Sequence, residues 1–344
     1  MSELKPRIAR LIGSQGPISI AQFMTMALLD PESGYYATRD PFGTRGDFIT
    51  APEISQMFGE LVGLWMVQCW RDQGSPSPAR LVELGPGRGT LMADALRAAR
   101  VVPEFLDAIE IVLVEASPVL RQMQHEKVAG ARWLDHFDPD VLSDRPLFLI
   151  ANEFFDALPI RQYVKTERGW CERMVTAEGG ELAFALAPVA SALDVGEAKD
   201  GAVYETSPAS IALTEEISRI IATRGGAALI IDYGHEGGFG DTLQAVAKHK
   251  YASILEAPGE ADLSAHVDFA ALANAARRGG ASAFGPAGQG AFLNALGLAA
   301  RAQQLIQKNP GEKESIEAAV DRLTIQMGTL FKALAICAEK PPGF

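Results

Sequence analysis

The sequence predicts an α/β fold: a Rossmann-like, doubly wound and mostly parallel sheet, with an N-terminal helical and lid region and an inserted antiparallel lobe. Three observations predict it. From residue 80 onward, short apolar runs alternate with segments of helical period, as strands joined by crossover helices do. At the first such junction three closely spaced glycines stand between an apolar run and a helix. Residues 161–206 then break the rhythm with period-two alternation, the mark of antiparallel strands.

The 344 residues suffice for one large domain, or for a core with a sizeable second lobe. With 48% hydrophobic and 22% charged residues, the chain can bury an ordinary core. A formal charge of −12 repels phosphate, so a general nucleic-acid binder is disfavoured and a cationic partner is suited. Cys69, Cys171 and Cys337 form no CxxC pair, which predicts reduced thiols and no metal site. The run Met1–Pro6 lacks the apolar core of a secretory signal, and no apolar stretch approaches the ~20 residues of a membrane span. No membrane insertion and a cytoplasmic location are expected.

In chain order, residues 1–30 read as two helices separated by Gly16-Pro17, with Ser19 placed to cap the second. Residues 34–55 are rich in turn formers interleaved with aromatics, which predicts an ordered lid with Gly43 and Gly46 as hinges. A helix follows from Ile54 to Trp70, and Gly74–Pro78 breaks the chain. The core is expected to start there, dividing the chain into residues 1–75 and 76–344. Core strands are predicted at 80–84, 110–115, 131–134, 147–152 and 227–232, with helices around 90–100, 117–127 and 138–143. Gly234–Gly240 reads as a second glycine-rich loop. Helical additions are expected over about 255–337, in segments at 268–279, 290–308 and 313–337.

The glycine junction reads Glu83-Leu84-Gly85-Pro86-Gly87-Arg88-Gly89-Thr90. Glycines there let backbone N–H groups and a helix N-terminus approach a cofactor closely. The dinucleotide pattern GxGxxG would need glycine where Thr90 stands. The spacing GxGxG, with an acid two positions earlier, instead resembles the S-adenosylmethionine loop of class I methyltransferases. Downstream, the strand ending at Glu115 presents a carboxylate suited to ribose hydroxyls. Asp135, after the third strand, is a candidate for the adenine amino group. The segment Asn152-Glu153-Phe154-Phe155-Asp156 follows the fourth strand, where ligands bind in doubly wound sheets, and the methyl acceptor is expected there.

Longer motifs carry a family resemblance over nearly the whole chain. These are Gly34-Tyr35-Tyr36, Gly46–Ser55, Val82–Met92, Ala151–Pro159, Ile231–Gly234, Gly240–Ala245, Gly259–Phe269 and Met327–Lys332. Together they resemble the MidA-like family of S-adenosylmethionine-dependent methyltransferases, which includes the mitochondrial complex I assembly arginine methyltransferase. The resemblance implies symmetric dimethylation of a protein arginine, on a complex I (NADH dehydrogenase) core subunit or a related protein. The cofactor-binding set is then Glu83, Gly85, Pro86, Gly87, Gly89, Thr90, Glu115, Asp135 and Asn152. Carboxylates that grip the guanidinium are expected to orient the acceptor: Glu153 first, Asp156 second, with Asn152, His235 and His266 as further catalytic candidates. Asp47, Glu53 and Asp232 are candidates for the same mouth. Two other readings stay open on sequence, a non-catalytic assembly factor that binds the cofactor and an NAD-dependent oxidoreductase.

Overall fold

A computed structural model describes residues 3–38 and 50–344. Its central sheet contains β1 (Ala79–Leu84), β2 (Ile109–Val114), β3 (Arg132–Leu134), β4 (Leu147–Asn152), β5 (Gly226–His235), β6 (Ser282–Gly288) and β7 (Phe331–Cys337). They stand side by side in the order β3-β2-β1-β4-β5-β7-β6. The first five are parallel, whereas β7 runs antiparallel to both of its neighbours. This is the doubly wound order with one antiparallel strand slotted between the fifth and sixth.

Strands β1 and β4 are buried along their whole length, which is why they read as continuous apolar runs. Alternate residues feed opposite faces: Leu81, Phe148 and Ile150 enter one core, Val82, Leu149 and Ala151 the other. Helices Pro208–Arg224 and Phe269–Arg278 cover the second face.

Two N-terminal helices, α1 (Leu4–Gln15) and α2 (Ile20–Leu29), appear where the sequence places them. Ser19 caps α2 in a reciprocal capping box with Gln22. Their buried stripes pack in a third core with Val175, Leu243 and Leu263. The predicted insert is an antiparallel set of Arg161–Thr166, Gly169–Glu178, Glu181–Leu186 and Val203–Thr206, and Ile18–Ser19 joins its edge.

Helix α3 (Gln56–Asp72) belongs instead to the central core, although it precedes the break at residue 75. It lies on α4 (Thr90–Ala99), the helix that leaves the glycine junction. The two approach so closely that a Cβ on Gly63 would sit 2.5 Å from Ala95 Cα, and one on Gly59 2.7 Å from Asp94 Cβ. Buried Glu60 on α3 receives Arg97 of α4 and Arg301, pinning the pair.

Two expectations need correction. The segment 313–337 is not one helix: it ends at Asp321, passes through a π turn at Arg322–Gln326, and becomes β7. Alanine, leucine and lysine favour a helix locally, but between β5 and β6 the segment pairs on both edges and buries Ala333–Cys337. The second glycine-rich loop also begins late, because β5 runs through Gly234 to His235. There a Cβ would lie 2.0 Å from the carbonyl oxygen of Val267. The lid hinges Gly43 and Gly46 lie outside the described residues.

Gly63→Ala is expected to cost about 1–3 kcal/mol by overpacking α3 on α4. Gly13→Ala, in an α1 position with nothing within 4 Å, is expected to add about 0.5–1 kcal/mol. Thermal unfolding of both variants against the parent checks the pair; equal midpoints would remove the close crossing from the account.

Candidate active site

The strand order reverses between β1 and β4, and an open cleft lies there at their carboxyl ends. Strand β1 delivers the glycine loop to it. Gly85, Gly87 and Gly89 have φ of 58°, 53° and 73°, a region that L side chains rarely adopt. At Gly85 a Cβ would also meet the Phe154 ring at 2.7 Å. Gly89 N–H donates to Pro86 O at 2.7 Å, closing the turn, and α4 begins with no side chain capping its first N–H groups.

The buried polar atoms around this cleft are not all paired. Glu83 Oε2 and Asn152 Oδ1 have no hydrogen-bond partner among the described residues, and both residues line the cleft. Burial, and then the charge of Glu115, push the Glu83 carboxyl up to about 8. Two buried, unsatisfied acceptors facing one cavity are costly unless a ligand supplies N–H donors, ideally cationic ones. The ammonium of an amino-acid cofactor has that character.

Glu115 is buried at the end of β2, and burial raises its pKa. Its Oε1 accepts Ser117 N–H at 2.8 Å and its Oε2 accepts Gln124 Nε2 at 3.2 Å. The same Gln124 amide donates to Gly87 O at 2.7 Å, and Gln124 Oε1 accepts from Trp133 Nε1 at 2.9 Å. Gln124 thus ties the glycine loop to the Glu115 carboxylate. Sequence reasoning passed over it; the available signal was a polar residue on the buried face of the helix Pro118–Lys127. Asp135, by contrast, is exposed outside the cleft, ion-paired with Arg121. Thr90 lines the cleft, but its hydroxyl donates to Glu53 at 2.6 Å and accepts from Lys127 at 2.7 Å.

Beyond β4 the chain makes a sharp turn. Glu153 adopts φ 51°, and its Oε1 accepts Ala51 N–H at 3.0 Å and Asn152 Nδ2 at 3.2 Å. Burial, with a further push from Asp156, raises Glu153 to about 7. Asp156 rises to about 6 through burial, although Tyr233 donates its hydroxyl at 2.7 Å. Beneath them Asp232 is fully buried and accepts the N–H groups of Phe155 (3.0 Å), Asp156 (3.2 Å) and Tyr233 (2.9 Å). Burial and its acidic neighbours hold Asp232 well above the usual carboxylate range. Phe154 packs on the glycine loop and Phe155 is core.

Glu53, Asn152 and Glu153 therefore line one cleft with the glycine loop, and Asp156 and Asp232 stand beside it. His235 and His266 do not join them; they line a separate cavity across the turn. Asp47 lies outside the described residues.

Comparison with known proteins matches this architecture. The model of the Methyltransf_28 family, S-adenosyl-L-methionine-dependent methyltransferases, matches residues 61–287. The chain belongs to this family. It is 39% identical to the protein arginine methyltransferase NDUFAF7, mitochondrial, of Mus musculus, over 94% of this chain and 82% of that one. The Drosophila melanogaster homolog is 38% identical over 97% and 84%, and the Homo sapiens protein 37% over 94% and 81%. A crystal structure from Burkholderia thailandensis, bound to S-adenosyl-homocysteine, superposes with a TM-score of 0.87 at 29% identity, covering 99% of this chain and 93% of that one.

The chain is thus an S-adenosylmethionine-dependent methyltransferase, and the oxidoreductase alternative falls. The expected cytoplasmic location is corrected as well, because the curated relatives are named as mitochondrial proteins. Among the described residues no helix is long and apolar enough to cross a membrane.

Glu83 binds its proton more tightly when folded (about 8) than at its ordinary value of 4.5. Its contribution to stability is therefore lost progressively as pH rises from 4.5 through about 8. Glu83→Gln is expected to flatten that fall in chemical denaturation of the cofactor-free protein, and to weaken S-adenosylmethionine binding by calorimetry at least 10-fold. Unchanged affinity would take Glu83 out of the cofactor's reach.

Proposed function

We propose that this methyltransferase acts on the guanidinium of an arginine in a protein, and that its acceptor is a core subunit of respiratory complex I, dimethylated symmetrically. The observation that carries the arginine reading is the pair of carboxylates, Glu153 and Asp156, at the edge of the cofactor cleft. The printed names of the relatives, protein arginine methyltransferase, support the same acceptor class.

In this reading Glu83 and Asn152 hold the cofactor's ammonium through their unpaired oxygens. Gly85, Pro86, Gly87 and Gly89 let the backbone approach it, and the uncapped start of α4 offers N–H groups to its carboxylate. Glu115, steadied by Gln124, takes the ribose hydroxyls. Bound there, S-adenosylmethionine supplies an electrophilic methyl group on a sulfonium leaving group.

The remaining work falls to the chain. A guanidinium has a pKa above about 12 and a delocalised lone pair, so it must be oriented and its charge offset. Glu153 presents Oε2, which accepts no hydrogen bond among the described residues, while Ala51 and Asn152 fix its other oxygen. Asp156, aimed by Tyr233, offers a second acceptor. N-methylation releases a proton, and carboxyls near 6 and 7 are matched to receive it around neutral pH. Thr50 and Pro52 line the cleft beside the glycine loop.

Glu153→Gln is expected to leave S-adenosylmethionine affinity within about threefold and to slow arginine methylation by about 10²–10³. Calorimetry, with mass spectrometry of isolated complex I core subunits after incubation with labelled cofactor, reads both; retained turnover excludes Glu153 as the orienting carboxylate. Because both groups act ionised, kcat/KM is expected to rise with pH through about 6 and about 7. Asp156→Asn should remove the lower inflection, and a flat profile over that range would contradict the assignment.

A further inference from the structure

A second pocket, open to solvent, lies across the turn from the cofactor cleft. The turn is the partition: Asn152 and Glu153 line the cleft, whereas Phe155, two residues on, lines the cavity. A side-chain chain also links the two. Tyr233 donates to Asp156 and meets His266, in the cavity wall, edge-on with ring centroids 5.5 Å apart. A ligand against His266 is therefore linked through Tyr233 to Asp156, the group proposed to help hold the acceptor guanidinium.

The wall chemistry narrows that ligand. Phe155, Ile160, Ile211 and Leu272 give it an apolar floor. Two carboxylates are present, and both bond the protein. Glu205 accepts from Gln162, Thr242 and Leu243, and Asp268 caps the helix Phe269–Arg278 at Ala271 N–H. They disfavour an anion in the pocket. Beside the wall's Thr206, Ser207 and Ser210 hydroxyls, the two imidazoles can bond a guest. His235 Nδ1 accepts Gly237 N–H at 3.1 Å, which leaves Nε2–H as a donor, and the His266 ring makes no hydrogen bond among the described residues. Burial, then His235, lower the His266 pKa, which favours its neutral form. An apolar floor with hydrogen-bonding groups at the rim suits an uncharged group carrying a hydrogen-bond acceptor, which is the character of an apolar residue in a polypeptide: side chain on the floor, carbonyl at the rim.

We infer that this cavity is a specificity pocket for an apolar residue close in sequence to the methylated arginine of the acceptor protein. The inference rests on the arginine-acceptor reading and deepens it: the carboxylate pair selects the arginine, and the cavity selects its neighbour. Burying one leucine side chain is worth about tenfold or more in affinity.

The probes are arginine-centred glycine–serine peptides with one leucine walked over the flanking positions, and the same peptide without leucine. Binding is measured by fluorescence anisotropy on the full chain saturated with S-adenosyl-homocysteine, and turnover separately with S-adenosylmethionine. One leucine position is expected to lower Kd at least 10-fold relative to the leucine-free peptide. Ala271→Phe, which fills the cavity from its wall, should erase that gain and leave the leucine-free peptide unaffected. Ile211→Ala, which widens the floor, should move the preference from leucine to phenylalanine. The pocket is overturned if no leucine position stands out in the parent, or if the preference persists unchanged in both variants. Leucine selectivity in binding without methylation of any arginine peptide would keep the pocket and sink the arginine reading; methylation without leucine selectivity would do the reverse.

Discussion

A carboxylate with no solvent exposure, that of Asp232, accepts the N–H groups of Phe155, Asp156 and Tyr233 where β4 and β5 end side by side. Parallel pairing of these strands puts Asn152 opposite Ile231, so the acid on one strand reaches the turn leaving the other. The turn needs such an anchor. Glu153 sits at φ 51°, which costs a side-chain-bearing residue of order 1–2 kcal/mol and persists only where the surroundings over-determine it. From that one turn Phe154 supports the glycine loop, Glu153 meets the Ala51 N–H, and Asp156 meets Tyr233.

The anchor also explains the electrostatics of the region. Glu83, Glu115, Glu153, Asp156 and Asp232 stand together at the carboxyl ends of the central strands, all with raised pKa values and burial as the first cause. Such a cluster opposes folding, because burial disfavours ionised acids and like charges repel. Its logic is that of a site built for a cationic guest, as the sulfonium and ammonium of S-adenosylmethionine are. Stability given up in the empty protein is returned as binding when positive charge arrives. The packing supports this by holding the scaffold stiff, since the glycines on α3 bring it against α4 too closely for any side chain.

Legibility from sequence followed locality. The glycine loop, Glu115 and the Asn152–Asp156 segment were readable because each lies just after an apolar run, and in a doubly wound sheet the end of a strand is where ligands gather. Gln124 was not readable, since its part depends on a loop, a strand end and Trp133 meeting in space. The two histidines carried a chemical suggestion without a position: His235 and His266 end up on the far side of the turn. Asp135 shows the converse, a plausible place along the chain with its carboxylate turned outward to Arg121.

By itself the sequence determined the strand–loop–helix core, the antiparallel insert, the N-terminal helices with the Ser19 cap, and the tight glycine turn, because these rest on short-range periodicity and on glycine conformations that few other residues can adopt. Tertiary structure decided the rest. It turned a helix-favouring C-terminal segment into β7, since pairing with β5 and β6 outweighs local propensity. It also split the acidic and histidine candidates between two cavities, because only strand register determines which side of one buried turn a side chain comes to face.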